Sequence, residues 1–381
     1  MNPKEKTETP SFHGAIWKDG GFLNSEFHVR GGRIWEGRKG PVREAAYIIP
    51  PMSDPHIHGG WGMSFREDDF LQLERKLRLS GIGFAVPTLD NDTLPRMESA
   101  AKAFRNYRKQ HPDTIFPFLR VEGPFISERR KGFQSEKHIL APDANRIDKF
   151  LSIEAVKMFT FAPEVPGAEQ LVREALNRDW IPSVGHSDAG YTEFQPFYHM
   201  GVRHMTHFPN AMRGLHHRDI GLLGAGLLLE DMHLEVIADG VHSCREFLEL
   251  VLRWAHDRVS LTSDMIAPAH AHVQRLEGRD VVRRGNTITT KDGMLAGGGT
   301  GVAEQAVLLA AWDYPPEKIV PLAVENARRF IGIKSPELKD GEPADFLLCD
   351  DALRVQAVYF NGVRITDGDR LFERGAKKES G

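Results

Sequence analysis

Cysteine is nearly absent from this chain of 381 residues: Cys244 and Cys349 are the only two, they lie far apart, and no CxxC occurs. Neither a disulfide framework nor a thiolate zinc site is indicated. An excess of one charge sign is lacking too. Forty-nine Lys and Arg face 53 Asp and Glu, for a formal net charge of −4. That balance offers no polybasic surface to nucleic acid and no strong field to steer a charged partner. No apolar run reaches the length of a membrane span, and the polar opening MNPKEKTETP has no signal-peptide character. The expectation is a cytoplasmic globular protein, with 41% hydrophobic residues for a large core. What is plentiful is histidine, 17 in all, and its placement is more telling than its number.

Both ends of the chain read as short β-pieces broken by turns: Phe12 to Trp17, Phe27 to Val29 and Arg33 to Trp35 at one end, and Ala344 to Cys349, Val355 to Phe360 and Val363 to Ile365 at the other. Asn361-Gly362 and Asp367-Gly368 punctuate the second group, and Asn-Gly between apolar runs is a hairpin signal. One small sheet domain assembled from both termini (1–50 with 335–381) is expected. The middle (51–334) alternates apolar runs with helix-like stretches. The runs are Tyr47 to Met52, Gly83 to Pro87, Phe116 to Val121, Val156 to Phe161, Ile181 to Val184, Val202 to Thr206, Leu234 to Ile237 and Val259 to Leu261. Helical patterns include Asp69 to Leu79, Arg96 to Lys109, Ala168 to Asn177 and Arg245 to His256, with Gly301 to Trp312 and Pro316 to Ile331 after the last run. Eight such units predict an α/β fold of the (β/α)8 TIM-barrel type. An open doubly wound sheet is the competing architecture, but no Gly-rich phosphate fingerprint follows the first run.

Barrel enzymes place their chemistry at the C-terminal ends of the strands. Reading those ends gives Asp54-Pro55-His56-Ile57-His58, Glu122-Gly123-Pro124, Gly185-His186-Ser187, His207, Asp239-Gly240-Val241-His242 and Asp264. Imidazoles and carboxylates are ligands for zinc and similar first-row metals. Histidines one residue apart on a strand share a face and can reach one ion. Any one of these residues alone is unremarkable. Their convergence on one end of a barrel predicts a metal centre. The fourth run ends without a lysine, since Lys157 falls near its start; Glu164 reads as a loop-stabilising carboxylate and Thr88 as structural.

The segments PPMSDPHIHGG, VPTL, VEGPFI, FAPE, VGHSDA, THFPNAM, IADGVH, LTSDMIAPA and LAGG, then ENARRFIGI and ADFLL, run in order over nearly the whole chain. Together they resemble the N-acetylglucosamine-6-phosphate deacetylase family of the amidohydrolase superfamily. The resemblance implies a TIM barrel with a small β-sandwich built from both termini. It also implies a divalent metal, zinc first with Fe, Mn or Co as alternatives, held by Glu122, His186 and His207. His56 and His58 match the ligands of a second ion, with Glu122 bridging. Asp264 matches the catalytic acid/base and His242 a substrate contact. Asn210 and Ala211 match contacts to an amino-sugar phosphate, Phe133 offers its backbone, and Leu295, Ala296 and Gly297 match a loop that closes on the sugar. Arg218 resembles an arginine that reaches the substrate phosphate of a neighbouring subunit, which implies a homodimer. His216 and His217 read as solvated additions. The chain departs from the usual Lys-Gly-Ala-His with Lys131-Gly132-Phe133-Gln134, and from Thr-Asp-Ala with Ser263-Asp264-Met265.

The reading that follows is hydrolysis of the acetamide of N-acetylglucosamine 6-phosphate. Another N-acyl amino sugar, such as N-acetylgalactosamine 6-phosphate, is the nearest alternative. Dihydroorotase- or hydantoinase-like enzymes bridge their metals with a modified lysine at the fourth strand, which this chain lacks. A non-enzymatic sugar-binding protein would not need Asp264 beside a full ligand set.

Overall fold

The computed structural model describes residues 10–366 apart from 68 and 277. The polar leader up to residue 9 and the expected turn at Asp367-Gly368 lie outside the described residues, as does the rest of 367–381. Eight parallel strands form the central sheet: β1 (Met52–Ile57), β2 (Ile82–Leu89), β3 (Leu119–Val121), β4 (Val156–Phe161), β5 (Ile181–Val184), β6 (His204–Met205), β7 (His233–Val236) and β8 (Val259–Leu261). Each pairs with its neighbours in sequence order. The ring closes through backbone just beyond β8. Asp264 N donates to His56 O at 2.9 Å, and His58 N and Gly59 N both donate to Met265 O at 2.9 Å.

Parallel strands covered on both faces read as apolar runs, and β4, VKMFTF, is buried at every position except Lys157. Several of the surrounding helices are amphipathic. In Arg245–Ala255, Leu248, Val251, Leu252 and Ala255 are the buried residues, at the spacing that lines one helical face. Among the described residues, no helix is long and apolar enough to cross a membrane.

Three details differ from expectation. The run 47–52 is not one strand: Val42–Ile49 belongs to the terminal sheet and β1 begins at Met52. Pro50-Pro51 separates them, since proline has no N–H for a ladder. His56 therefore sits within β1 rather than after it. β6 is also only two residues long. The stretch 316–331 is helical but broken, passing through a π-helical turn at Pro321–Glu325; Pro321 supplies no N–H to an α-helical ladder.

The termini build a seven-stranded sheet, in the order Val363–Arg364, Val355–Phe360, Phe346–Cys349, Val42–Ile49, Ser11–Lys18, Gly21–Arg30 and Arg33–Glu36. It rolls over on itself to form the sandwich. Phe27 and Phe346 lie on strands three positions apart, about 14 Å in a flat sheet, yet their ring centroids are 5.1 Å apart. At Asn361-Gly362 both residues have positive φ, 48° and 74°, the two-residue type I′ hairpin that Asn-Gly favours.

Between β8 and the next helix lies a four-stranded meander that the sequence reading did not anticipate: Arg275–Leu276, Arg279–Arg284, Thr287–Thr290 and Leu295–Gly298. Its signals are present in the sequence, since Gly285-Asn286 and Asp292-Gly293 flank the alternating run Thr287–Thr290. The expected closing loop at Leu295–Gly297 is thus a strand of this meander.

Candidate active site

All of the candidate metal ligands reach the C-terminal end of the barrel. Glu122 follows β3 directly, His186 and His207 stand two residues beyond β5 and β6, and Asp264 stands three beyond β8. Two clusters form, one of His56, His58, Glu122 and Asp264, the other of Glu122, His186 and His207. Glu122 belongs to both. Its Oε1 lies 3.0 Å from His186 Nε2 and 2.8 Å from His207 Nε2, while Oε2 lies 3.2 Å from His58 Nε2. His186 and His207 Nε2 approach to 3.1 Å, and His56 and His58 Nε2 to 3.0 Å. Asp264 Oδ1 is 3.5 Å from His56 Nε2 and 3.4 Å from His58 Nε2.

This donor set fits a divalent cation. His186 Nδ1 lies 2.8 Å from the carbonyl of Arg130 and so carries the ring proton. A neutral His186 then turns a bare lone pair toward the oxygen of Glu122 and the nitrogen of His207. Ligands bound at ~2.1 Å to one tetrahedral ion lie roughly 3.4 Å apart, within a few tenths of an ångström of the separations here. Imidazole and carboxylate without thiolate suit zinc, iron, manganese or cobalt.

Positioning partners stand behind the ligands. His58 Nδ1 is 3.1 Å from Asp90 Oδ1 and His56 Nδ1 is 3.5 Å from Glu235 Oε2, both at ion-pair distance but outside hydrogen-bond geometry. Glu235 is held in turn by Arg120, whose Nη1 donates to it at 2.5 Å and whose Nη2 donates to Thr206 at 2.8 Å. Arg120 and Glu235 are completely buried inside the barrel. Burial and the Arg120 charge depress His56 to a pKa of about 4. For Asp264, burial favours the neutral acid, but His56 and the hydrogen bond from His58 outweigh it and keep the pKa below the usual range. Sequence reasoning missed Asp90, Arg120 and Glu235. The available signal was a charged residue inside an apolar strand, as in Phe118-Leu119-Arg120-Val121 and His233-Leu234-Glu235-Val236.

The ligands open onto a cavity of about 390 Å³ lined by Phe133, Asn210, Ala211, His242 and Leu295 to Gly297, together with Asp264. The sequence-predicted substrate contacts therefore converge on one pocket, with one exception. Arg218 does not line it; its side chain is exposed and Nη1 lies 3.0 Å from His217 Nε2. His242 Nδ1 lies 2.7 Å from Asp239 Oδ2, which fixes the ring. Burial opposes charge on His242, yet the hydrogen bond and charge of Asp239 prevail and raise its pKa. Glu164 accepts from Ser187 Oγ at 2.7 Å and from Asp188 N at 2.5 Å, and Thr88 bonds to the Val86 carbonyl, so both are structural.

No family model matches the chain. Its relatives are nevertheless consistent. A crystal structure of N-acetylglucosamine-6-phosphate deacetylase from Thermotoga maritima is 31% identical, with a TM-score of 0.84 over 93% of this chain and 98% of that one. N-acetylgalactosamine-6-phosphate deacetylase of Escherichia coli O157:H7 is 27% identical over 84% of this chain and 88% of its own length. N-acetylglucosamine-6-phosphate deacetylase of Bacillus subtilis is 28% identical over 79% of this chain and 80% of its own length. The barrel, the terminal sandwich, the buried donor cluster and this likeness lead to one assignment: the chain belongs to the N-acetylglucosamine-6-phosphate deacetylase family, hydrolases of the amidohydrolase superfamily.

Proposed function

We propose that this chain removes the acetyl group of N-acetylglucosamine 6-phosphate, releasing glucosamine 6-phosphate and acetate. The observation that carries the reading is Asp264, clustered with His56, His58 and Glu122 at the floor of a cavity open to solvent. A bound divalent ion, zinc first among the candidates and one or two per chain, supplies Lewis acidity for the amide carbonyl and lowers the pKa of a water within reach. Glu122, His186 and His207 would hold the principal ion. His56 and His58 would hold a second one, sharing Glu122.

The chain's own groups do the rest. The Asp264 carboxylate takes the proton of the attacking water and returns it to the departing amine nitrogen, serving as base and then acid. His242, fixed by Asp239, turns its free ring edge to the carbonyl or a sugar hydroxyl. Asn210, Ala211, the Phe133 backbone and Leu295 to Gly297 seat the sugar. Arg218 reaches the phosphate of a partner subunit's substrate in a homodimer; its exposure outside its own cavity supports a role in trans. The barrel of residues 51–334 and the sandwich of 1–50 with 335–381 are taken as separate domains. Two unpaired cysteines and a phosphorylated sugar favour a cytoplasmic enzyme.

The E. coli N-acetylgalactosamine-6-phosphate relative supports a second reading, in which the 4-hydroxyl has the opposite configuration. One experiment decides between them. Amine release is followed from N-acetylglucosamine and N-acetylgalactosamine, each with and without the 6-phosphate, using protein of measured metal content. The highest kcat/KM is expected for N-acetylglucosamine 6-phosphate. A higher value for the galacto sugar replaces the substrate, and no turnover of any of the four removes the function.

A further inference from the structure

Glu122 has to serve two histidine pairs at once, and a glutamate carboxylate turns easily about its last torsion, whose distribution is broad. Something must hold its plane. Among the described residues, the side chain other than a histidine that hydrogen-bonds to it is Gln134, whose Nε2 donates to Glu122 Oε2 at 2.5 Å. The orientation of this amide follows from its other end: Asn91 N donates to Gln134 Oε1 at 2.9 Å. A backbone N–H can only donate, so the oxygen must face Asn91 and the NH2 must face Glu122. Asn91 is itself fixed, with Nδ2 donating to the Ser135 carbonyl at 2.9 Å and no exposed surface. Gln134 is buried as well. The connection therefore runs from the loop after β2, through Gln134, to the carboxylate after β3.

We propose that Gln134 is a positioning residue for the metal centre: its amide pins Oε2 of Glu122 so that Oε1 stays between His186 and His207 while Oε2 stays on the His58 side. The inference rests on the metal-centre reading above. Gln134 occupies the place where the family resemblance leads one to expect histidine, and from the cavity wall its NH2 group donates to Glu122. A carboxylate oxygen has two lone-pair sites, so Oε2 can accept this hydrogen bond and still face a cation.

The test is zinc binding by Gln134→Met, which keeps the length and removes the donor. Metal-stripped wild type and variant are titrated with Zn2+ against a chromophoric chelator, and melting temperatures are taken with and without zinc. Loss of an outer-shell partner weakens metal affinity roughly 10- to 100-fold, so the zinc Kd is expected to rise in that range and the zinc-induced rise in melting temperature to shrink. A merely structural role would lower both melting temperatures together and leave Kd unchanged. A Kd within threefold of wild type overturns the proposal. Gln134→His, which retains a ring N–H donor, is expected to give the smaller rise in Kd. A rise as large as that of methionine overturns the donor argument. Because zinc affinity is read without substrate, failure of the deacetylase assay and failure of this inference are separate results.

Discussion

Replacing Asp264 by asparagine separates the proton-transfer role from the structural role of the same residue. Asp264 has φ 48°, a left-handed conformation that asparagine accepts better than any other residue but glycine. Its backbone helps close the barrel, donating to His56 O at 2.9 Å and accepting from Gly298 N at 2.7 Å, and neither bond involves the side chain. Asparagine should therefore preserve the fold, whereas alanine adds about 1–2 kcal/mol of left-handed strain. Glu122, His186 and His207 are untouched, so the principal ion should stay bound. What disappears is a group able to take and return a proton, a contribution of roughly 10²- to 10⁴-fold, or about 2.7–5.5 kcal/mol in the barrier. The assay is steady-state amine release with metal content measured on the same sample. The expected outcome is kcat reduced at least a hundredfold, KM within about threefold and metal retained. An asparagine variant with wild-type metal content and kcat within tenfold of normal would refute the acid/base assignment.

Other perturbations test the surroundings. Arg120→Met leaves Glu235 buried without its cation and should cost about 3–5 kcal/mol in urea unfolding of metal-free protein; a loss below about 1 kcal/mol contradicts the pairing. Removal of the metal by a chelator should abolish turnover and lower stability by about 4 kcal/mol where zinc had stood at a thousandfold its Kd, both restored by added zinc; activity that survives complete removal ends the metal reading. His233 is buried, stacks on Phe330 with centroids 4.6 Å apart, and has its pKa held well below 6.5 by desolvation and then by His204. It stays neutral in the fold while the unfolded chain gains a proton below pH 6.5, so its contribution is present above that value and lost as pH falls. The stability advantage of wild type over His233→Asn should accordingly shrink by up to ~1.4 kcal/mol per pH unit below 6.5, and an advantage constant from pH 7.5 to 5.5 would deny it. Arg279 lies over the Phe133 ring at 3.5 Å from its centroid, so Phe133→Ala should raise KM severalfold with kcat little changed; a fall in kcat alone would place Phe133 in the chemistry.

Most of the metal-site residues that could be read from sequence share one property, His56 within β1 being the exception: they stand at or beyond strand ends, where polar side chains break an apolar rhythm. His186, His207 and Asp264 were legible for that reason. Glu235 and Arg120 were not, because they lie inside strands whose apolar neighbours dominate the pattern; their mutual pairing, 115 residues apart in sequence, together with the bond from Arg120 to Thr206, makes their burial tolerable. The barrel was legible from eight recurring runs, but its first boundary was not. Tyr47 to Met52 is continuous apolar sequence shared between two sheets, and periodicity cannot divide it where proline does. The meander was hidden differently. Arg279–Arg284 carries charged residues at most positions, so it lacks the apolar face that marks a strand, and only its turns identify it.

The same seam that completes the barrel also sets the geometry of the site. β8 and β1 are joined by the backbone of Asp264 and Met265 against His56, His58 and Gly59, so the carboxylate and the His-x-His pair are held in register by the hydrogen bonds that close the ring. His186, His207 and Asp264 all have positive φ, 46°, 31° and 48°, conformations that cost of order 1–3 kcal/mol each and persist where the surrounding structure over-determines them. At all three the reversal comes within three residues of the strand's end, and each side chain belongs to one of the two clusters that share Glu122. Strain at these three positions is therefore the structural cost of bringing residues from the ends of separate strands to within about one ligand separation, and the ring of eight strands supplies the stability that offsets it.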